Sequence, residues 1–183
     1  MRGMPAKASR DSVGGLVDSL IKGDKRSAGK LISLNEDDEP EAVEAVARIF
    51  PHTGRAHVVG LTGPPGVGKS SLINRLVRAF RSRVKTVGVV AVDPTSPYTG
   101  GAVLGDRIRM ADTGVDSGVF IRSMATRGHA GGLALATFDA VRVLDAMGSD
   151  LVFDLGLLHR NLTRGDFPHS SDDRVVGSVR VSF

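Results

Sequence analysis

Apolar residues in the N-terminal third recur at helical spacing. Val13, Leu16, Val17, Leu20 and Ile21 fall on one helix face, and Gly23-Asp24 breaks the pattern. Asp24 is placed to cap a second helix running through Leu34. Asn35 to Pro40 reads as an acidic linker. Pro40 suits the first turn of a third helix, Glu41 to Phe50, whose Glu41 and Glu44 lie near its positive end. Pro51-His52-Thr53-Gly54 ends it. From His57 the pattern changes. His57 to Thr62 is a short apolar strand, Gly63 to Gly68 a loop, and Lys69 to Phe80 a helix with Leu72, Ile73, Leu76, Val77 and Phe80 inward. Val84 to Val92 is almost continuously apolar, as expected of a parallel strand buried on both faces. A Gly/Pro/Thr/Ser-rich loop follows from Asp93 to Gly105, then a short helix from Asp106 to Met110 and a strand from Gly118 to Arg122. Gly131 to Met147 is a long helix, and Asp150 to Phe153 opens another strand.

The alternation of strands and helices predicts an α/β fold, a mainly parallel sheet flanked by helices. Three regions follow: a helical N-terminal extension over 1–55, a core over 56–153, and a divergent tail over 154–183. The tail is rich in Arg, Ser, Asp and His, and only Val179, Val181 and Phe183 alternate with polar neighbours as a strand does. The pattern places none of it in the core sheet, so the expectation is a disordered tail and an incomplete sheet.

Composition narrows the partners. Of 183 residues 41% are hydrophobic and 4% aromatic, with no Trp and one Tyr. Stacking of single-stranded bases needs exposed rings, which are scarce here. The net charge is +4 and the pI about 9.8, but the Lys and Arg residues are scattered rather than blocked. A nucleotide's phosphates are a sufficient anionic partner, and no nucleic acid is expected. The absence of cysteine excludes disulfides and thiolate metal sites and suits the cytoplasm. Met1 to Ser12 carries Arg2, Lys7 and Arg10 without a following apolar stretch, which argues against a secretory signal. There is no clear transit peptide, so a mitochondrial matrix location would apply only in a eukaryote. The apolar run Val87 to Val92 is far short of a membrane span.

The chemistry concentrates at Gly63-Pro64-Pro65-Gly66-Val67-Gly68-Lys69-Ser70, the pattern G-x-x-x-x-G-K-[ST] between a strand and a helix. This is a P-loop, which binds a nucleoside triphosphate with Mg²⁺. Its glycines let backbone N–H groups turn around phosphate oxygens, and the helix N-terminus adds its dipole. Pro64 and Pro65 stiffen the first turn. Lys69 is expected to reach the β- and γ-phosphates and is the candidate catalytic residue; Ser70 is expected to offer its hydroxyl to Mg²⁺, and Ser71 completes the nucleotide-binding segment.

From Val13 to Phe153 the chain resembles the methylmalonyl-CoA mutase-associated GTPase family, also called MeaB/ArgK. The resemblance rests on Phe50 to His57, the P-loop, Ala91 to Pro97 continuing through Thr99 to Met110, and Phe120 to Gly128. It implies a P-loop GTPase that binds and hydrolyses GTP, works as a homodimer, and gates cofactor loading and protects a cobalamin-dependent mutase. It further implies that Asp93, ending a buried strand beside the loop, holds Mg²⁺ directly or through water, with Asp106 as an outer partner of the ion. The segment between them resembles a nucleotide-sensing switch. Asp93 also reads as a turn residue before Pro94, and Asp106 as a helix N-cap. His129 reads as a loop residue, and Arg122 and Arg127 as structural or partner-facing.

The resemblance stops after Phe153. The family continues with a hydrophobic residue and Glu-Thr-Val-Gly, whereas Asp154-Leu155-Gly156-Leu157 stands here. Asp154 comes one position early, and on a strand that shift sends a side chain to the opposite face. The guanine-reading Asn-Lys-x-Asp is missing; Thr163-Arg164-Gly165-Asp166 only faintly resembles it. The family's dimerisation arm has no counterpart. These departures suggest a truncated or frame-shifted product and keep three readings open: a GTPase, a nucleotide-binding or regulatory fragment with little turnover, and a P-loop kinase or ATPase. GTP is the expected ligand and ATP an alternative. No catalytic base can be named.

Overall fold

A computed structural model describes residues 12–62, 67–93, 116–125, 130–155 and 177–180. Three short helices come first: α1 (Val13–Leu20), α2 (Lys25–Glu36) and α3 (Glu41–Ile49), followed by a 3₁₀ turn, Phe50–His52. Then come β1 (His57–Thr62), α4 (Lys69–Arg81), β2 (Val87–Asp93), β3 (Val119–Ala125), α5 (Ala130–Ala146), β4 (Leu151–Leu155) and β5 (Gly177–Arg180).

Local chemistry sets the first helix boundaries. The Ser12 hydroxyl accepts from the Gly15 N–H at 3.2 Å and caps α1. Asp24 caps α2 by accepting from the Ser27 N–H at 2.9 Å and the Ser27 hydroxyl at 2.6 Å. Those bonds, the hydroxyl's first, hold the Asp24 carboxyl below its ordinary pKa. In α3, Glu41 and Glu44 occupy the first turn and Arg48 the last, which suits the helix dipole.

All strand pairings are parallel, in the order β3-β2-β4-β1-β5. The chain leaves β1 through α4 on one face and returns from β3 to β4 through α5 on the other. Strand alternation sorts the side chains accordingly. Leu61, Val87, Val89, Ala91, Val119, Phe153 and Leu155 pack with Ile73 and Val77 of α4. Val90, Val92, Met124 and Val152 pack with α5 and with α1, α2 and α3. The N-terminal helices thus share a core with the sheet. On that face Gly88 is required for close approach: a Cβ there would stand 2.8 Å from Leu144 Cδ1.

Polar clamps join the elements at the N-terminal edge of the sheet. Asp145, at the end of α5, accepts from the N–H groups of Gly54, Arg55 (3.1 Å) and Ala56 (2.8 Å). Asp150 accepts from the Thr86 N–H (2.7 Å), the Thr86 hydroxyl (2.8 Å) and Lys85 Nζ (3.0 Å). Its carboxyl is held low, chiefly by the Thr86 N–H. Lys25 of α2 donates to the carbonyls of Asp116 and Val119, while Arg81 of α4 forks onto the Asp116 carboxylate at 2.9 and 2.8 Å. Helices from both faces therefore meet at the start of β3.

Four expectations change. Leu72, expected inward with Ile73 and Val77, is 36% exposed. The apolar run from Val84 does not enter the sheet until Val87. Arg83 and Lys85 N–H groups donate to the Phe80 carbonyl and close a turn, leaving Val84 84% exposed at φ +59°. The third helix ends at Ile49, and Phe50 opens the 3₁₀ turn. The tail, expected outside the sheet, contributes β4 through Leu155 and places Gly177–Arg180 beside β1, with Val59 opposite Gly177 and Thr62 opposite Arg180. The expected helix from Asp106 to Met110 lies outside the described residues.

Candidate nucleotide-binding site

Because every strand is parallel, their C-terminal ends share one edge, where ligands bind in open α/β sheets. Thr62 ends β1 at this edge. Gly63, Pro64, Pro65 and Gly66 lie outside the described residues, which resume at Val67. Gly68 has φ +86° and ψ 18°, the left-handed conformation that glycine adopts without a Cβ penalty. It turns the chain from loop to helix, and Lys69 is the first residue of α4.

The start of α4 is suited to an anion. Its first N–H groups have no intrahelical acceptor, and Gly68 supplies no side-chain cap. Lys69 stands in that first turn. Ser70 is 8% exposed, held against the sheet by a helix whose Ile73 and Val77 are fully buried. Ser71 is on the exposed side. A cleft of about 370 Å³ runs from Ser70 and Ser71 along Asn74, Arg75 and Arg78. Sequence reasoning missed those last three; their spacing of three, four and seven from Ser71 along one helix face was the available signal. A larger groove of about 740 Å³ lies between α1, α2 and the start of α3, and none of the loop residues lines it.

The carboxylates are distributed less simply. Asp93 is the last residue of β2, opposite Ala125 of β3. β4 lies between its strand, β2, and β1, the strand that leads into the loop. Two strand spacings, about 10 Å, therefore separate the β2 and β1 backbones. Asp106 lies outside the described residues, as do Arg127, His129 and the faint motif at Thr163 to Asp166. Arg122 is turned to the N-terminal helices, where it donates to the Ser33 hydroxyl at 2.9 Å and pairs with Glu36.

Asp154 is paired in register with Gly60 on one side and Val90 on the other. Its neighbours Phe153 and Leu155 face α4, so by alternation Asp154 faces away, with Val152, toward α5. Its Oδ1 is buried and has no hydrogen-bond partner among the described residues. Burial pushes this carboxyl up to about 6. Among the described residues no three His, Cys, Asp or Glu side chains converge on a metal-sized site, and no helix is long and apolar enough to cross a membrane.

Comparison with known proteins fits this geometry. Residues 28–154 match the family described as methylmalonyl Co-A mutase-associated GTPase MeaB. A Pyrococcus horikoshii protein carrying the name "Putative GTPase" is 57% identical over 138 residues, covering 75% of this chain and 44% of that protein. GTPase ArgK of Escherichia coli is 32% identical over 137 residues, covering 73% and 41%. A fused isobutyryl-CoA mutase of Geobacillus kaustophilus is 38% identical over 146 residues, covering 74% of this chain and 13% of its own. The crystal structure of a LAO/AO transport system kinase shares the fold, with a TM-score of 0.62 at 21% identity over 82% of this chain and 45% of that one. This chain thus spans less than half the length of these relatives. Parallel sheet, loop-to-helix turn and matched residues agree: the chain belongs to the MeaB family of methylmalonyl-CoA mutase-associated GTPases.

Proposed function

We propose that this chain binds GTP at the segment from Gly63 to Ser71, with Mg²⁺, and hydrolyses the γ-phosphate bond in support of a cobalamin-dependent methylmalonyl-CoA mutase. The observation that carries this reading is the turn at Gly68, which presents Lys69 and the buried Ser70 together in the first turn of α4. Family membership and the relative fused to an isobutyryl-CoA mutase support the GTPase and mutase parts. The cytoplasm is the proposed compartment.

In this reading the first N–H groups of α4 and the loop cradle the phosphates, and the Lys69 ammonium offsets charge developing on β- and γ-oxygens. The donor set fits Mg²⁺, a hard cation that takes oxygen ligands. Ser70 would supply a hydroxyl from the first turn, and Asp93 and Asp106 the carboxylates. Mg²⁺ so held supplies further neutralisation of phosphate oxygens. Water is the acceptor, oriented by a group this chain does not identify.

One observation favours a second reading, nucleotide binding with little turnover. At the C-terminal end of β4 the one carboxylate present, Asp154, faces away from the helix that carries Ser70. Phosphate release from GTP and Mg²⁺ separates the readings. Release above the Lys69→Ala background without any acceptor supports the GTPase. Binding without release leaves the fragment, and release that requires an added acceptor leaves a kinase.

A further inference from the structure

We propose that the groove between α1, α2 and the start of α3 binds a small organic phosphate, with the phosphoryl group at Arg26 and Lys30 and the apolar body against α1. The groove encloses about 740 Å³, the size of a small-molecule site, and neither Lys69 nor Ser70 lines it. Arg26, Lys30 and Ser33 stand four and three residues apart, so they fall on one face of α2, and all three line the groove. Gly29 lies on the same face, and a Cβ built there would meet nothing within 4 Å. Val13 and Leu16 of α1, with Leu34 of α2, supply apolar walls.

Arg122 reaches the same groove from β3. Its Nη2 donates to the Ser33 hydroxyl at 2.9 Å and pairs with Glu36, which offsets part of its charge. Its Nε is buried with no hydrogen-bond partner among the described residues, so the guanidinium keeps donor capacity beyond those two bonds. Charge decides the ligand class. Glu39 and Glu41 also line the groove, but both follow the C-terminal end of α2, whereas Arg26 and Lys30 belong to its first half. The groove is therefore positive toward one end and negative toward the other, which orients a molecule with an anionic head. A phosphate monoester brings close to two charges and three acceptor oxygens to that guanidinium and ammonium, where a carboxylate brings one charge and two.

The test is an NMR titration of the full chain with phenyl phosphate, an apolar ring on a dianion at about pH 7.5. The expected result is saturable shifts of the α2 amides from Arg26 to Ser33, with a dissociation constant on the order of 1 mM or tighter. Gly29→Leu, which fills the groove, and Arg26→Glu, which reverses its charge, should each weaken binding at least roughly fivefold. Both suit the helix: the leucine enters open space, and a glutamate near the start of α2 favours the dipole. An unchanged amide spectrum elsewhere confirms their folds. Lys69→Ala should leave binding within about twofold, which separates this groove from the P-loop. Inorganic phosphate, without the apolar body, and benzoate, without the second charge, should each bind at least roughly fivefold more weakly. No saturation by about 10 mM, binding indifferent to Gly29→Leu or to Arg26→Glu, binding lost in Lys69→Ala, or benzoate or inorganic phosphate binding as tightly as phenyl phosphate would overturn the proposal.

Discussion

Ser70 and Asp154 lie on opposite faces of one sheet. Ser70 stands in the first turn of α4, which packs on the face shared by Phe153 and Leu155, and Asp154, between those two residues, points the other way. A carboxylate one position early on a strand is thus a different group in physical terms. It is buried against the α5 side with an unbonded oxygen, rather than turned to the helix that carries the proposed ion ligand.

The pH dependence of stability follows. Burial raises the folded-state pKa of Asp154 to about 6, above its ordinary value. Its contribution is fully present below the unfolded pKa and is lost as pH rises through about 6. Asp154→Asn should therefore stabilise the chain at pH 7.5 by roughly 1–3 kcal/mol and flatten the loss seen in wild type between about pH 4 and pH 7. Urea melts across that range measure both. Nucleotide affinity should stay within about twofold of wild type. A large loss of Mg²⁺-dependent affinity in Asp154→Asn would return this carboxylate to the ion.

Asp145 organises the entry to β1. Its carboxylate satisfies three successive N–H groups, those of Gly54, Arg55 and Ala56. Asp145→Ala should cost roughly 2–4 kcal/mol, because the donors lose their acceptor while Ala56 stays buried. Chemical denaturation reads the loss. Hydrogen exchange should show the three amides losing protection ahead of the β2 amides.

Val84 holds a left-handed backbone conformation with its side chain in solvent. A β-branched residue is strained there, and burial offers nothing in return. Val84→Gly or Val84→Asn should raise stability by about 1 kcal/mol. A thermal midpoint unchanged or lowered in both variants would show that the turn relaxes in solution.

Much of this was legible in the sequence because local rules acted alone. Asp24 marked the start of α2 since its cap needs only Ser27. The run His57 to Thr62 was a strand in both pattern and structure. Glycine followed by Lys69-Ser70 marked the loop-to-helix turn, and Gly68 takes the conformation such a turn needs. What stayed hidden depended on distant partners. Apolar runs carry no record of their neighbours, so the placing of β4 between β1 and β2 could not be foreseen. The alternation around Val179 hinted at a strand, but nothing in it names a partner, and Gly177–Arg180 pair with β1. Val84 reads as strand by hydropathy, while backbone bonds to Phe80 keep it in a turn.

The most direct test is a titration of the chain with GTP and with ATP, each with Mg²⁺, alongside Lys69→Ala. The account predicts saturable binding that favours GTP, weakened by Lys69→Ala at least roughly a hundredfold, since a charged phosphate contact in a preformed site is lost. Binding of neither nucleotide by a folded sample, or binding indifferent to Lys69→Ala, would contradict it.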